Sequence, residues 1–169
     1  KHWSANMIVS ADDFNRIEGN TLDNHERLNG HDSRISSNEN RLNNIEDGSR
    51  LVLGLNASAG SSSVALGRGA SAAGLSSVAI GHDASAAGLS SVALGRDAST
   101  TGNYSVALGI NTSATGDGST ALGLNASAAG DGSTALGLNA SAVNNSTALG
   151  INASAETTST ALGNYASAE

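Results

Sequence analysis

The chain of 169 residues contains no cysteine, no proline and very few aromatic residues. Without cysteine it has neither a disulfide framework nor a thiolate metal site. Without proline, its 21 glycines cannot build a collagen triple helix, which needs both residues in a strict triplet. A conventional globular core is also disfavoured, because such cores rely on large aliphatic and aromatic side chains. A chain so rich in small residues is either disordered or repetitive.

Positive charge and long apolar runs are also scarce. The formal net charge is −7, which disfavours nucleic-acid binding because that function needs a basic surface. No segment approaches the ~20 apolar residues of a membrane-spanning helix, and no signal peptide is visible. The first residue is Lys1 rather than methionine, so we expect a fragment, a processed form or an incompletely determined sequence.

A tetrapeptide that ends in glycine recurs nine times from residue 51 onward, at intervals of 13 or 14 residues, and it argues against disorder. Each copy is followed by a second short element, usually Ala-Ser-Ala. Both elements alternate in character as strands do. We predict that Val64 and Leu66 face inward with Ala70 and Ala72, and that alanines such as Ala65 face outward. The copies read LVLG at 51–54, VALG at 64–67, VAIG at 78–81, VALG at 92–95 and 106–109, and TALG at 120–123, 134–137, 147–150 and 160–163.

The turns between these elements also follow a rule. Two residues after each glycine stands Asn, Asp or Gly in eight of nine repeats, and these residues enter the left-handed region of backbone space cheaply. The other turn is where the shorter repeats lose a residue, which is typical of a surface loop. The pattern predicts a β-solenoid with a thin interior that needs lateral packing against other copies. The positions of the first kind are Asn56, Gly69, Asp83, Asp97, Asn111, Asn125, Asn139, Asn152 and Tyr165.

The SVALG, SVAIG and STALG units and their Ala-Ser-Ala partners resemble the YadA-like head repeats of trimeric autotransporter adhesins. The resemblance assigns residues 49–169 to such a head. It implies a mainly β fold, a left-handed parallel β-helix (β-roll) of nine 13–14-residue repeats. It also implies that three copies associate as a homotrimer.

Residues 11–48 are predicted to form an α-helix of a parallel trimeric coiled coil. Ser10 suits the N-cap, Asp13 reaches back to it in a capping box, and Gly48 suits the C′ position. A heptad register runs between them without a skip. Its a positions are Phe14, Thr21, Leu28, Ile35 and Leu42, and its d positions are Ile17, Asn24, His31, Asn38 and Ile45.

Charges and polar residues of this helix indicate how the copies align. Three arginines each stand five residues before an acid, which is the spacing of salt bridges between parallel chains. The polar d layer of Asn24, His31 and Asn38 lowers stability but fixes the register. Such a layer resembles the stalks of the same adhesins and many phage fibres, and the resemblance implies an enclosed anion such as chloride; no other cofactor is expected. The predicted interchain pairs are Arg27–Asp32, Arg34–Glu39 and Arg41–Glu46.

Trp3 and the stretch 8–18, IVSADDFNRIE, resemble the "W…ITAEDLNRIE" opening of phage and prophage tail-fibre proteins. The resemblance implies that residues 1–10 attach the fibre to a structural protein of a particle. Trp3 and Phe14 are the docking candidates. The alternative is that both side chains only staple the start of the helix.

No arrangement of residues predicts catalysis, because the chain lacks a nucleophile elbow or any other positioning motif. His82 with Asp83 is interpreted as a solvated turn. Arg68 and Arg96 are interpreted as solvated charges, with contact to an acidic glycan as the alternative.

Two functions remain open. The first is a fibre of a phage or phage-like particle, exposed on the virion surface, that spaces or presents a tip for a host receptor or glycan. The second is the head and stalk of an adhesin on the bacterial outer surface that binds host matrix or cells. The opening sequence favours the first function.

Overall fold

The computed structural model describes residues 10–46 and 50–169, except the side chains of residues 37 and 40–46. The chain divides into two units, a long helix and a β-solenoid. The predictions for Trp3, for Gly48 and for the Arg41–Glu46 pair therefore lie outside the described residues.

Helix α1 spans Ala11–Glu46, and its 36 residues extend about 54 Å at ~1.5 Å per residue. Its start is capped as predicted. The backbone N–H of Asp13 donates to Oγ of Ser10 at 3.1 Å, and that hydroxyl donates to Oδ2 of Asp13 at 2.7 Å. The helix continues through Gly19 and Gly30 without interruption, although each glycine costs ~1 kcal/mol relative to alanine.

The solenoid consists of nine coils, and each coil contributes one longer and one shorter strand. The odd-numbered strands form one nine-stranded parallel sheet, called here the long-strand sheet, and the even-numbered strands form the short-strand sheet. The strands are β1 Arg50–Leu53, β2 Ser58–Ala59, β3 Ser63–Leu66, β4 Ser71–Ala72, β5 Val78–Ile80, β6 Ser85–Ala86, β7 Val92–Leu94, β8 Ser99–Thr100, β9 Val106–Leu108, β10 Ser113–Ala114, β11 Thr120–Leu122, β12 Ser127–Ala128, β13 Thr134–Leu136, β14 Ser141–Ala142, β15 Thr147–Leu149, β16 Ser154–Ala155, β17 Thr160–Leu162 and β18 Ser167–Ala168.

Equivalent residues of successive coils stack directly on one another. Val64 pairs with Val78, and Ser71 pairs with Ser85. The pairing between β13 and β15 advances by 13 residues instead of 14, with Thr134 opposite Thr147, and the in-register stacking is preserved. The predicted parallel β-solenoid is therefore confirmed.

Both turns of each coil use left-handed backbone. The first turn does so at all nine predicted positions, including Tyr165 with φ 56°. The second turn also contains a left-handed residue, which the sequence reasoning missed, for example Ser76 with φ 57° and Tyr104 with φ 56°. The shorter coils lose their residue in this second turn, as predicted.

The interior corrects one prediction. Ala65 faces inward and is completely buried, as are Ala79 and Ala93, whereas Val64 and Leu66 face outward and are only partly buried. The assignment of the first strand was therefore inverted, although Ala70 and Ala72 do face inward. The core is built almost wholly from alanine, and large aliphatic side chains occupy the outside of the long-strand sheet.

Serines complete this interior at the second turn. The Oγ of Ser77 donates to the carbonyl of Gly74 at 2.7 Å, and that of Ser105 donates to the carbonyl of Gly102 at 2.6 Å. Both hydroxyls are fully buried, so these bonds avoid the cost of an unpaired polar group. The interior is therefore filled by small residues, and these serine hydroxyls are satisfied within it.

Candidate functional site

The outward face of the long-strand sheet is an apolar surface of the solenoid. A row of leucine and isoleucine runs along it, one residue before each glycine of the first turn. Leu108 in the middle of this row is 37% exposed, although it belongs to the central coil. Contiguous apolar surface of this kind marks an interaction site. The row consists of Leu53, Leu66, Ile80, Leu94, Leu108, Leu122, Leu136, Leu149 and Leu162.

Two further rows flank the leucine row and change character along the solenoid. On one side, valine occupies coils two to five and threonine occupies coils six to nine. On the other side, Arg68, His82 and Arg96 occupy coils two to four, and Ile110 and Leu124 begin an aliphatic stretch that continues in later coils. Both flanks are apolar in coil five, and in coils six to eight only the second flank is, so the apolar surface shifts from one side of the leucine row to the other.

The basic residues of this flank interact with one another and with the neighbouring acids. Nε and Nη2 of Arg68 lie 3.0 and 2.6 Å from Nε2 of His82. Because arginine can only donate, Nε2 is the acceptor and the imidazole proton is assigned to Nδ1. Nδ1 lies 2.9 Å from Oδ2 of Asp83, at an angle outside hydrogen-bond geometry. His82 and Asp83 lie in a turn with side chains 40% and 54% exposed, which agrees with the predicted solvated turn, and the contact from Arg68 of the preceding coil is additional.

The same cluster is the one group of potential metal ligands among the residues that the structure describes. The ligand atoms of His82, Asp83 and Asp97 lie within 4.8 Å of one another. However, Arg68 occupies Nε2 and thereby places a proton on Nδ1, which is the nitrogen nearest the carboxylates. A metal ion there would have to displace that proton and approach two guanidinium groups, since Nε of Arg96 lies 3.6 Å from Asp97. The arrangement favours ion pairing over metal binding.

The outward face of the short-strand sheet is polar and uniform. One serine stands at its centre in every coil, and Oγ of Ser58 lies 3.4 Å from Oγ of Ser71. Such a surface has none of the large aromatic or arginine side chains that dominate binding energy at interfaces. The serines are Ser58, Ser71, Ser85, Ser99, Ser113, Ser127, Ser141, Ser154 and Ser167.

Asparagines of the first turn form a ladder along the solenoid. Nδ2 of Asn125 donates to Oδ1 of Asn139 at 3.1 Å, and Nδ2 of Asn139 donates to Oδ1 of Asn152 at 2.9 Å. All three residues have left-handed backbone. Their role is therefore to build the turn and to link successive coils.

The helix presents the predicted heptad residues on its surface. Phe14 and Ile17 are more than half exposed, as are Leu28 and Ile35. One helix leaves this surface without a partner, as expected of one strand of a coiled coil. Leu22 is 66% exposed and lies outside the heptad core, so the apolar surface is broader than the register predicts.

The polar and charged heptad residues are placed apart along the helix. Asn24, His31 and Asn38 are exposed, and the structure brings none of them together because their predicted partners belong to other copies. The salt bridges among the described side chains do not include Arg27–Asp32 or Arg34–Glu39. Both pairs remain predictions about contacts between chains.

Tyr104 is a surface residue that the sequence reasoning did not single out as a site. It lies in the second turn of the fourth coil, has φ 56° and is 64% exposed. The signal was present in the sequence, because the equivalent residues of the preceding coils are serines. The turn forms with serine at the equivalent position of other coils, so the fold does not require a bulky residue such as Tyr104 there.

These features define a class, the β-solenoid proteins in which stacked coils build an elongated body. A family model, the YadA head domain repeat (2 copies), matches residues 58–84, 86–112, 114–140 and 144–166. The chain therefore belongs to the YadA head repeat family, whose members are adhesin-type fibres displayed outside the cell. No curated protein matches the chain significantly. None of the described helices is sufficiently long and apolar to cross a membrane.

Proposed function

We propose that the chain is a trimeric structural fibre of a phage or phage-like particle, exposed on the virion surface, that spaces or presents a tip for host attachment. The observation that carries the trimer is the unpartnered apolar surface of both units. In the helix, Phe14, Leu28 and Ile35 are more than half exposed. In the solenoid, the leucine row remains partly or largely exposed along a sheet whose interior holds only small residues.

Three copies around one axis would cover this surface. Each solenoid would bury its leucine row and the apolar flank against its neighbours, and each helix would bury its a and d positions. Burial of apolar area stabilises by ~25 cal/mol per Å². The interior of one solenoid contributes less stabilisation than these contacts between copies, because each alanine side chain buries little apolar area. The polar layer of Asn24, His31 and Asn38 would set the register and could enclose an anion such as chloride.

The assignment to a particle rests on the opening sequence, residues 1–18. The structure describes this segment only from Ser10 onward. In this proposal residues 1–10 bind a structural protein of the particle, and Trp3 and Phe14 dock. The serine face of the solenoid supports a spacer role, because it lacks binding anchors. The proposal includes no catalysis, because the sequence has no motif that would position a nucleophile.

A second candidate is the head and stalk of a bacterial surface adhesin that binds host matrix or cells. The family match favours it, because the YadA head repeat is the best-supported part of the chain. The two candidates share the trimer and differ in what lies at the N-terminal end. Mass spectrometry of purified particles and of cell envelopes distinguishes them, and detection in envelopes alone would overturn the particle assignment.

The trimer is tested by analytical ultracentrifugation of the full chain. We expect a mass close to three times 16.6 kDa. The double variant Leu108→Ser, Leu136→Ser should shift the equilibrium from trimer toward monomer. The matched double variant Ser113→Thr, Ser141→Thr on the serine face should leave the trimer unchanged. A folded monomer in the unmodified chain would refute the proposal.

A further inference from the structure

The second turn of coils four to six breaks the repeat in a way that the fold does not require. Its left-handed position holds serine in three preceding coils, then Tyr104, and then glycine in the two coils that follow. A bulky residue in this conformation is uncommon, and such residues concentrate at functional sites. The row reads Ser62, Ser76, Ser90, Tyr104, Gly118, Gly132, Asn145 and Thr158.

The surface next to Tyr104 along this row is left bare. Gly118 has φ +63°, and a Cβ built on it would meet no atom within 4 Å. Glycine is not forced there by the backbone, since Asn145 and Thr158 adopt nearly the same φ, 51° and 58°. The open space beside Tyr104 therefore reflects the choice of residue. It forms a shelf about one coil long at ~4.8 Å per coil, because a Cβ on Gly132 would already meet Oδ1 of Asn145 at 2.8 Å.

Polar side chains of the adjacent row are fixed along the edge of this shelf. Oδ1 of Asn103 accepts the N–H of Leu89 at 2.9 Å. Oδ1 of Asp117 accepts the N–H of Asn103 at 2.7 Å, and Oδ1 of Asp131 accepts the N–H of Asp117 at 2.8 Å. Each side chain is thus held through one oxygen by the backbone of the preceding coil. Little side-chain entropy remains to be lost when a ligand binds.

The second oxygens of the two carboxylates are available as acceptors. Oδ2 of Asp117 has only a long contact of 3.4 Å from Nδ2 of Asn103. Oδ2 of Asp131 receives no hydrogen bond from the described residues. Both aspartates are exposed, so the shelf offers an aromatic ring, a bare floor and preorganised acceptors.

We propose that this shelf binds a neutral or N-acetylated glycan. The C–H face of a pyranose ring packs on an aromatic side chain, and its hydroxyls donate to fixed carboxylate and amide oxygens. The carboxylates of Asp117 and Asp131 disfavour sulfated and sialylated glycans by like-charge repulsion. The inference goes beyond the fibre proposal, because the shelf is complete within one chain and serves a particle fibre or an adhesin equally.

The test applies the full chain to immobilised neutral and N-acetylated oligosaccharides, with sulfated and sialylated ones in parallel. We expect binding to the first group only. Tyr104→Ser restores the residue of the preceding coils, and Gly118→Asn fills the shelf with the residue tolerated at 145. Each should weaken binding at least tenfold. Tyr165→Asn is the matched control, since it removes the other exposed tyrosine and should leave binding unchanged.

Several outcomes would overturn the shelf. The proposal is overturned if the chain binds none of the oligosaccharides, or if it prefers the sulfated ones. It is also overturned if the Tyr104→Ser variant binds as tightly as the unmodified chain. Dissociation of the oligomer by Tyr104→Ser would instead identify Tyr104 as a contact between copies. Ultracentrifugation of the unmodified chain tests the trimer without reference to glycan binding. Failure of the glycan proposal can therefore be distinguished from failure of the fibre proposal.

Discussion

Gly95 and Gly109 stack so closely that a methyl group on Gly95 would collide with the carbonyl oxygen of Gly109. Gly95 also has φ +135°, a region that side chains rarely adopt. Two independent restrictions therefore act on one position, and they recur at the same position of neighbouring coils.

We predict that Gly95→Ala lowers the free energy of unfolding by at least ~2 kcal/mol. Gly118→Asn is the control, because that position is left-handed but open, and it should cost no more than ~1 kcal/mol. Thermal and urea unfolding of the two variants measure the difference. A loss at Gly95→Ala no larger than that at Gly118→Asn would contradict the two restrictions assigned to Gly95.

The inversion of the first strand shows the limit of reasoning from sequence. Alternation establishes that Val64 and Leu66 share one face, but a period of two is identical for either face. The usual preference for large side chains inside then gave the wrong answer, because the space between the two sheets is filled by small residues such as Ala65. Uniformity was the better signal, since the inward position is alanine in eight of nine coils while the outward ones vary.

Other features were readable because they depend on local chemistry. The left-handed residues of the first turn follow from side-chain type, and the cap at Ser10 follows from its spacing to Asp13. The Arg68–His82 contact was not readable, because it joins residues in different coils whose side chains meet only after stacking. Tyr104 was visible as a break in the repeat, but its meaning depends on the bare Gly118 beside it.

The interior is tested by Ala107→Val, which adds two methyl groups to a completely buried position. Overpacking should lower the free energy of unfolding by about 1–3 kcal/mol. Val106→Thr is the matched control on the outward face, where the next coil already has Thr120, and it should change stability by about 0.5 kcal/mol or less. Chemical unfolding measures both losses. A larger loss for Val106→Thr than for Ala107→Val would support the original prediction that the valines face inward.

The predicted pairing between helices is tested by charge reversal. Arg34→Glu should lower the melting temperature of the helix slightly, because an exposed pair contributes under ~1 kcal/mol. Adding Glu39→Arg should recover the loss, since the pair is then rebuilt with opposite polarity. Circular dichroism at 222 nm follows helix melting. A double variant no more stable than the single one would show that the two residues do not pair between chains.

Attachment is predicted to depend on the N-terminal aromatic residues and not on the number of coils. Trp3→Ala with Phe14→Ala should release the fibre from purified particles, as measured by co-sedimentation. Deleting 64–91 removes two complete coils and keeps the register, because Ser63 then precedes Val92 as it does Val64. That deletion should shorten the solenoid by about 10 Å at ~4.8 Å per coil without releasing it.

The opposite pattern would contradict the docking assignment. Release by the deletion, with retention after the aromatic changes, would place the attachment surface on the solenoid. Retention in both variants, together with an intact helix, would support the alternative that Trp3 and Phe14 only staple the helix start.

The in-register stacking also determines how the solenoid carries load. Its interstrand hydrogen bonds run along the axis of the stack, so an axial pull stretches all the bonds between two coils at once. Each coil pairs only with those directly above and below it, so the interfaces act in series and every one bears the full tension. The break under tension falls at the weakest interface, and the coils on either side keep their own ladders.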